Sequence, residues 1–168
     1  MLDQLVQLVK QNAGAAIINN PAIPNQYNDS AITDVANSIF NGLQQHASNG
    51  NLQDIVSMFQ NGGSGSISNH PIVSNLISSA AGSLSSKYGL SSQSAQGIVS
   101  QLLPNVMNQF IRQTNDPNNS NFDLTNILQT VSGNSNLNVS SLLGQVTGGS
   151  SNNLLGSLSN LAGKLFGN

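Results

Sequence analysis

Apolar residues recur three and four positions apart along most of the chain, and no long stretch alternates with a period of two. That spacing predicts helices and no sheet. The expected fold is all-α, a helical bundle core followed by a C-terminal tail of short repeated helices. Leu2, Leu5, Val6 and Val9 open a first helix, expected to continue to Ile17-Ile18 before Asn19-Asn20-Pro21 and Pro24 stop it. Asp29 or Ser30 should cap a second, with Ile32, Val35, Ala36, Ile39, Phe40 and Leu43 on one face and an end near Ser48-Asn49-Gly50. Leu52, Ile55, Val56 and Phe59 mark a short third helix, broken by a flexible joint at 61–66, Asn-Gly-Gly-Ser-Gly-Ser.

Beyond the joint, Pro71 suits a first helical position, and two apolar rows, Ile72, Leu76, Ala80, Leu84 and Val73, Ile77, Ala81, run to Lys87-Tyr88-Gly89. Ser91 or Ser92 begins the most regular helix, whose rows are Ile98, Leu102, Val106, Phe110 and Val99, Leu103, Met107, Ile111. Pro104 falls inside it and frees the Ser100 carbonyl, so a kink or a two-part helix is expected. These helices make a core domain over residues 1–115.

The remainder, 116–168, repeats at an offset of about 15 residues. Asp123-Leu124-Thr125-Asn126-Ile127-Leu128, then Val131 and Gly133, return as Asn138-Val139-Ser140-Ser141-Leu142-Leu143, then Val146 and Gly148. A weaker third copy keeps Asn153, Leu154, Leu158, Leu161 and Gly163. Each copy reads as an Asx cap, an amphipathic helix and a glycine stop, too short to be stable without a surface to lie on.

The N-terminal helix of Met1 to Lys10, the Gly89-Leu90-Ser91-Ser92 lead into a helix bearing Leu102-Leu103-Pro104, and the glycine-closed Asp-Leu-x-x-Ile-Leu units together resemble the bacterial YidB-like family of unknown function. The similarity spans most of the chain. It implies a compact helical domain with a low-complexity Gly/Leu-rich tail, and brings no catalytic residues with it.

Composition alters the picture of the surface. Charged residues make up 6% of the 168-residue chain, the net charge is −2 and Glu is absent, while Asn, Ser and Gln number 26, 26 and 15. A typical soluble protein carries about a quarter charged residues. The four cations, Lys10, Lys87, Arg112 and Lys164, are scattered, so the clustered phosphate contacts of a nucleic-acid interface are not expected. No apolar run approaches the ~20 residues needed to cross a bilayer, and the first ten residues lack the basic and continuous apolar regions of a signal peptide. The cytoplasm is the default location, with a fibre outside the cell, exported by another route, an equal match to the neutral exterior.

Candidate chemistry is thin. Cysteine is absent, which excludes thiolate nucleophiles and sulfur-ligated metals. His46 and His70 lack catalytic partners at any recognisable spacing and read as solvated or capping residues. The segment Asp116 to Asp123 has the alternating oxygens of a calcium loop, but it lacks the central glycine and puts Ile127 where a bidentate Glu belongs; a connector whose Asp123 caps the next helix is preferred. Leu84 stands where a Ser-x-x-Lys motif ending at Lys87 needs its serine. No cofactor, metal or catalytic residue is assigned, and an enzyme is not expected.

Few charges of either sign leave little repulsion between copies, and neutral amides and hydroxyls enter interfaces without the cost of burying an ion. The expectation is a non-enzymatic structural protein that associates with itself, into a filament if the contact does not close. Its contact residues are Leu124, Ile127, Leu128, Val139, Leu142, Leu143, Leu154, Leu158 and Leu161. The alternative is a monomeric or dimeric cytoplasmic helical binding or regulatory module with the tail folded on its own core.

Overall fold

The computed structural model describes residues 1–61, 67–116, 118–119 and 122–147. Among these every regular element is helical, and no helix is long and apolar enough to cross a membrane. The glycine-rich stretch 62–66 and the third tail repeat lie outside the described residues. Two compact units divide the chain, Met1–Leu137 and Asn138–Asn168.

In the first unit α1 (Leu2–Asn12) packs on α2 (Asn28–Ser48) and α5 (Ser92–Thr114), and α4 (Pro71–Tyr88) packs between α2 and α5. The short α3 (Leu52–Asn61) and α6 (Leu124–Ser132) lie against this frame, α6 on α2. The apolar rows legible in the sequence supply the core: Ile32, Val35, Ile39 and Leu43 of α2, Ile72, Val73, Leu76 and Leu84 of α4, and Ile98, Val99, Leu102, Leu103, Val106, Met107, Phe110 and Ile111 of α5 are all buried. Phe110 sits at the centre of an aromatic chain, its ring edge-on to Phe59 at 5.2 Å and to Phe122 at 5.8 Å.

Local chemistry sets the helix ends. Ser91 Oγ accepts from the Ser94 N–H at 3.1 Å, and Asp123 Oδ1 from the Asn126 N–H at 3.1 Å, each satisfying an N–H that the first turn leaves unpaired. Gly89 and Gly133 close α4 and α6 with φ of +66° and +67°, where a β-carbon would be strained.

Three details depart from expectation. The first helix does not reach Ile18: α1 ends at Asn12, and Gly14–Ile18 form a wider turn in which the N–H groups of Ile18 and Asn19 reach back five residues, to Ala13 and Gly14. Ala13 and Ile17 are fully buried on either side of it, so the widened turn keeps the apolar face on the core as the chain leaves the helix. The second helix starts at Asn28 with no side-chain cap, which leaves Asp29 free to pair with Lys10 at 3.2 Å. Around Pro104 α5 runs from Ser92 to Thr114 as one helix instead of two parts, with Pro104 itself buried, because apolar packing on both sides outweighs one lost backbone bond.

The unit boundary lies beyond the 115 expected from the sequence. Phe122, Ile127, Leu128 and Val131 are buried, so the first tail repeat completes the core of the first unit. A nine-residue helix cannot hold its shape in water, and α2 supplies the surface α6 needs. The second unit is described only through α7 (Val139–Thr147), whose first turn is capped by Asn138 Oδ1 accepting from the Ser141 N–H at 3.3 Å.

Candidate functional site

Polar side chains converge most densely where the start of α2 meets the end of α4. Asp34 projects from the second turn of α2 with its side chain 13% exposed, and accepts two hydrogen bonds from α4: Lys87 Nζ at 2.5 Å and Tyr88 Oη at 2.6 Å. Lys87 is 57% exposed, so its ammonium keeps most of its water. Beside them the Tyr27 ring lies 5.7 Å from that of Tyr88, tilted by 50°. Tyr27 is 43% exposed, one of two large apolar residues, with Ile18, that face solvent among the described residues. Together with Asp29, Ser30 and Thr33 these residues line an open groove of about 610 Å³.

Burial first, then the hydrogen bond to Asp34 and its negative charge, push the Tyr88 hydroxyl well above the ordinary phenol range. Tyr88 therefore holds its proton at neutral pH and donates it to Asp34. The arrangement is a clamp between two helices with aromatic faces at its rim. Replacing Asp34 by Ala should cost about 1.5 kcal/mol, the net worth of a hydrogen bond to a charged acceptor, with Lys87 contributing little because it is solvated. Urea unfolding measures the loss. Spectrophotometric titration of tyrosine should show the Tyr88 transition falling back toward ordinary values, which a purely packing role for Asp34 would not produce.

His46, near the end of α2, and His70, just ahead of α4, lie close enough to interact, and His70 also interacts with Asp54 of α3. Nδ1 of His70 accepts from the Ile72 N–H at 3.3 Å, the capping role expected from the sequence. Its pKa is lowered, mainly by burial and further by the positive field of His46, with Asp54 acting in the opposite sense. No group of three or more His, Cys, Asp or Glu capable of holding a metal occurs among the described residues.

His70 predicts a pH dependence. The unfolded chain binds the proton at about the ordinary 6.5 and the folded chain only at lower pH, so this contribution to stability is complete above 6.5 and is lost as the pH falls through the folded value. Protonation also removes the Nδ1 lone pair that caps α4. Stability measured from pH 8 to pH 5 should fall, and His70→Asn, which keeps a capping oxygen without the titration, should flatten that part of the curve.

The expected contact residues of the tail are divided between the two units and are only partly among the described residues. Ile127 and Leu128 are 3% and 0% exposed inside the first unit, so they serve their own core. Leu124 is half-buried on the same helix. Val139 is buried and Leu142 half-buried on α7. The Leu143 side chain and Leu154, Leu158 and Leu161 lie outside the described residues. At the Asp116 connector, Asp116 Oδ1 accepts from the Asn118 N–H at 2.9 Å, and Asp123 caps α6.

Sequence reasoning missed the Asp34–Lys87–Tyr88 cluster because its members are more than fifty positions apart. It also missed a neutral network joining α1 to α5, in which Asn12 Nδ2 donates to Gln109 Oε1 at 2.7 Å and Gln109 Nε2 to Gln11 Oε1 at 3.0 Å. Likewise Asn115 Nδ2 donates to the Phe59 carbonyl at 2.9 Å, tying the end of α5 to α3. No protein-family model, curated protein or solved structure matches this chain.

Proposed function

We propose that this is a non-enzymatic structural protein that acts by associating with copies of itself. One observation carries the reading: a chain with few charges pairs several of them with each other. Lys10 pairs with Asp29 and Lys87 with Asp34 at the surface, so two of the few charges of each sign offset one another there, against a background of Asn, Ser and Gln. Repulsion between copies is weak on such a surface, and amide or hydroxyl contacts desolvate at small cost. The resemblance to the YidB-like family, carried by the Gly89-Leu90-Ser91-Ser92 and Leu102-Leu103-Pro104 segments, adds no activity to this reading. A neutral exterior of this kind suits assembly inside the cell or as an exported fibre alike.

Sedimentation velocity over a concentration series, at low and high salt, tests it. Larger species should grow with concentration and persist in high salt, because neutral contacts are not screened. A single small species at every concentration overturns the proposal. That outcome would favour the second reading, a helical binding module, whose support is the Tyr27–Tyr88 groove with its exposed ring and converging hydroxyls.

A further inference from the structure

We propose that the seat α6 occupies on α2 is a helix-binding site with a second ligand encoded fifteen residues further on, so that α7 of one copy replaces α6 in another. This rests on the self-association reading and names its contact. The structure supports it through the two helices themselves. Each has nine residues, Leu124–Ser132 and Val139–Thr147, and each starts one residue after an Asx side chain that accepts from the N–H three residues on. The repeat seen in the sequence is thus a repeat of structure, with the same length and the same kind of cap.

What α6 presents to its seat is Ile127, Leu128 and Val131, all buried. In register, the second repeat has Leu142, Leu143 and Val146. Two of the three residues are identical and the third is an isomer, the kind of volume-conserving change that packed sites tolerate best. The exposed pairs Thr125 and Ser140, and Asn126 and Ser141, are neutral, as are Ser132 and Thr147 by sequence, so exchange brings no ionic mismatch. Asp123 against Asn138 is the one difference in charge. An anion at the start of a helix favours α6, which makes α6 the resident and α7 the weaker competitor.

The helix α6 falls in the first unit and α7 in the second. Exchange of an identical element between protomers is a low-cost route to association, and it propagates when the donor and acceptor of each chain face different neighbours.

The test is a fluorescent synthetic peptide of residues 137–150, titrated into the full-length protein and into its Leu128→Asp variant while anisotropy is followed. An aspartate cannot enter the dry seat, so α6 leaves it and the peptide should bind the variant at least tenfold more tightly than the parent. A peptide carrying Leu143→Asp should bind neither. Circular dichroism checks that the variant keeps its other helices; if it does not, Leu128→Ala, which loosens α6 without a charge, should give a smaller but measurable gain in binding. Failure of the peptide to bind a folded variant overturns the proposal, as does binding indifferent to Leu143→Asp. Saturable binding to a chain that sediments as a monomer upholds the seat and removes the assembly, whereas concentration-dependent growth without peptide binding removes the seat and leaves the assembly.

Discussion

Replacing Phe110 by Ala should lower the unfolding free energy by about 3–5 kcal/mol, the largest loss expected from any single truncation in this chain. Its ring is fully buried and touches the edges of two others, Phe59 from α3 and Phe122 from the lead into α6, so three elements lose contacts at once. The surrounding helices cannot collapse on the void, because the α1–α5 and α3–α5 amide bonds through Gln109 and Asn115 hold the C-terminal half of α5 in place. Equilibrium urea unfolding should show a reduced midpoint with an unchanged slope. Phe40→Ala on α2, where the ring is half-buried, should cost clearly less. Equal losses at the two positions would mean that the Phe59–Phe110–Phe122 chain is not the centre of the core.

The helices were legible in the sequence because each is dictated by a local pattern. Pro71 and Gly89 bound α4, Ser91 begins α5, and Asp123 and Gly133 bound α6, and in each case the signal lies within a few residues of its effect. The widened turn at Gly14–Ile18 was not legible, since the spacing of Val9, Ala13 and Ile17 is equally good for a continuous helix and only packing on α5 decides between them. The same holds for the division of the tail. The first two repeats have nearly the same apolar face, and nothing in their sequences says that the first is built into the core of the larger unit.

The candidate site was less legible still. Asp34, Lys87 and Tyr88 are brought together by the crossing of α2 and α4, which depends on long-range packing. A hint was available: in so charge-poor a chain, each Asp on a predicted helix deserved a search for its cation. The amides carried no such hint, because Asn12, Gln109 and Asn115 are indistinguishable by type from dozens of solvated neighbours. In this protein neutral amides tie helices together in places where other proteins use ion pairs, and their contribution rests on alignment in the folded chain.

That crossing also brings a glycine against α4, and the second large effect is expected there. Gly42 lies on α2 where a β-carbon would overlap Cδ2 of Leu76 on α4, a side chain 1% exposed that must shift before anything larger than glycine fits. Gly42→Val should cost about 3 kcal/mol, near the upper end for overpacking, since its two γ-carbons push α2 and α4 apart at the contact that also carries the Asp34 clamp. Glycine inside a helix is otherwise a liability of about 0.5–1 kcal/mol against alanine. Gly82 on α4 and Gly97 on α5 have nothing within 4 Å of the same added atom, so Gly82→Ala and Gly97→Ala should each stabilise the protein by about that amount. Gly42→Ala sets the same helical gain against the overlap and should come out destabilising. Thermal or urea unfolding of the three alanine variants side by side decides the matter: a gain at Gly42 equal to that at Gly82 would mean that Leu76 yields and that the close approach of α2 and α4 does not depend on the missing side chain.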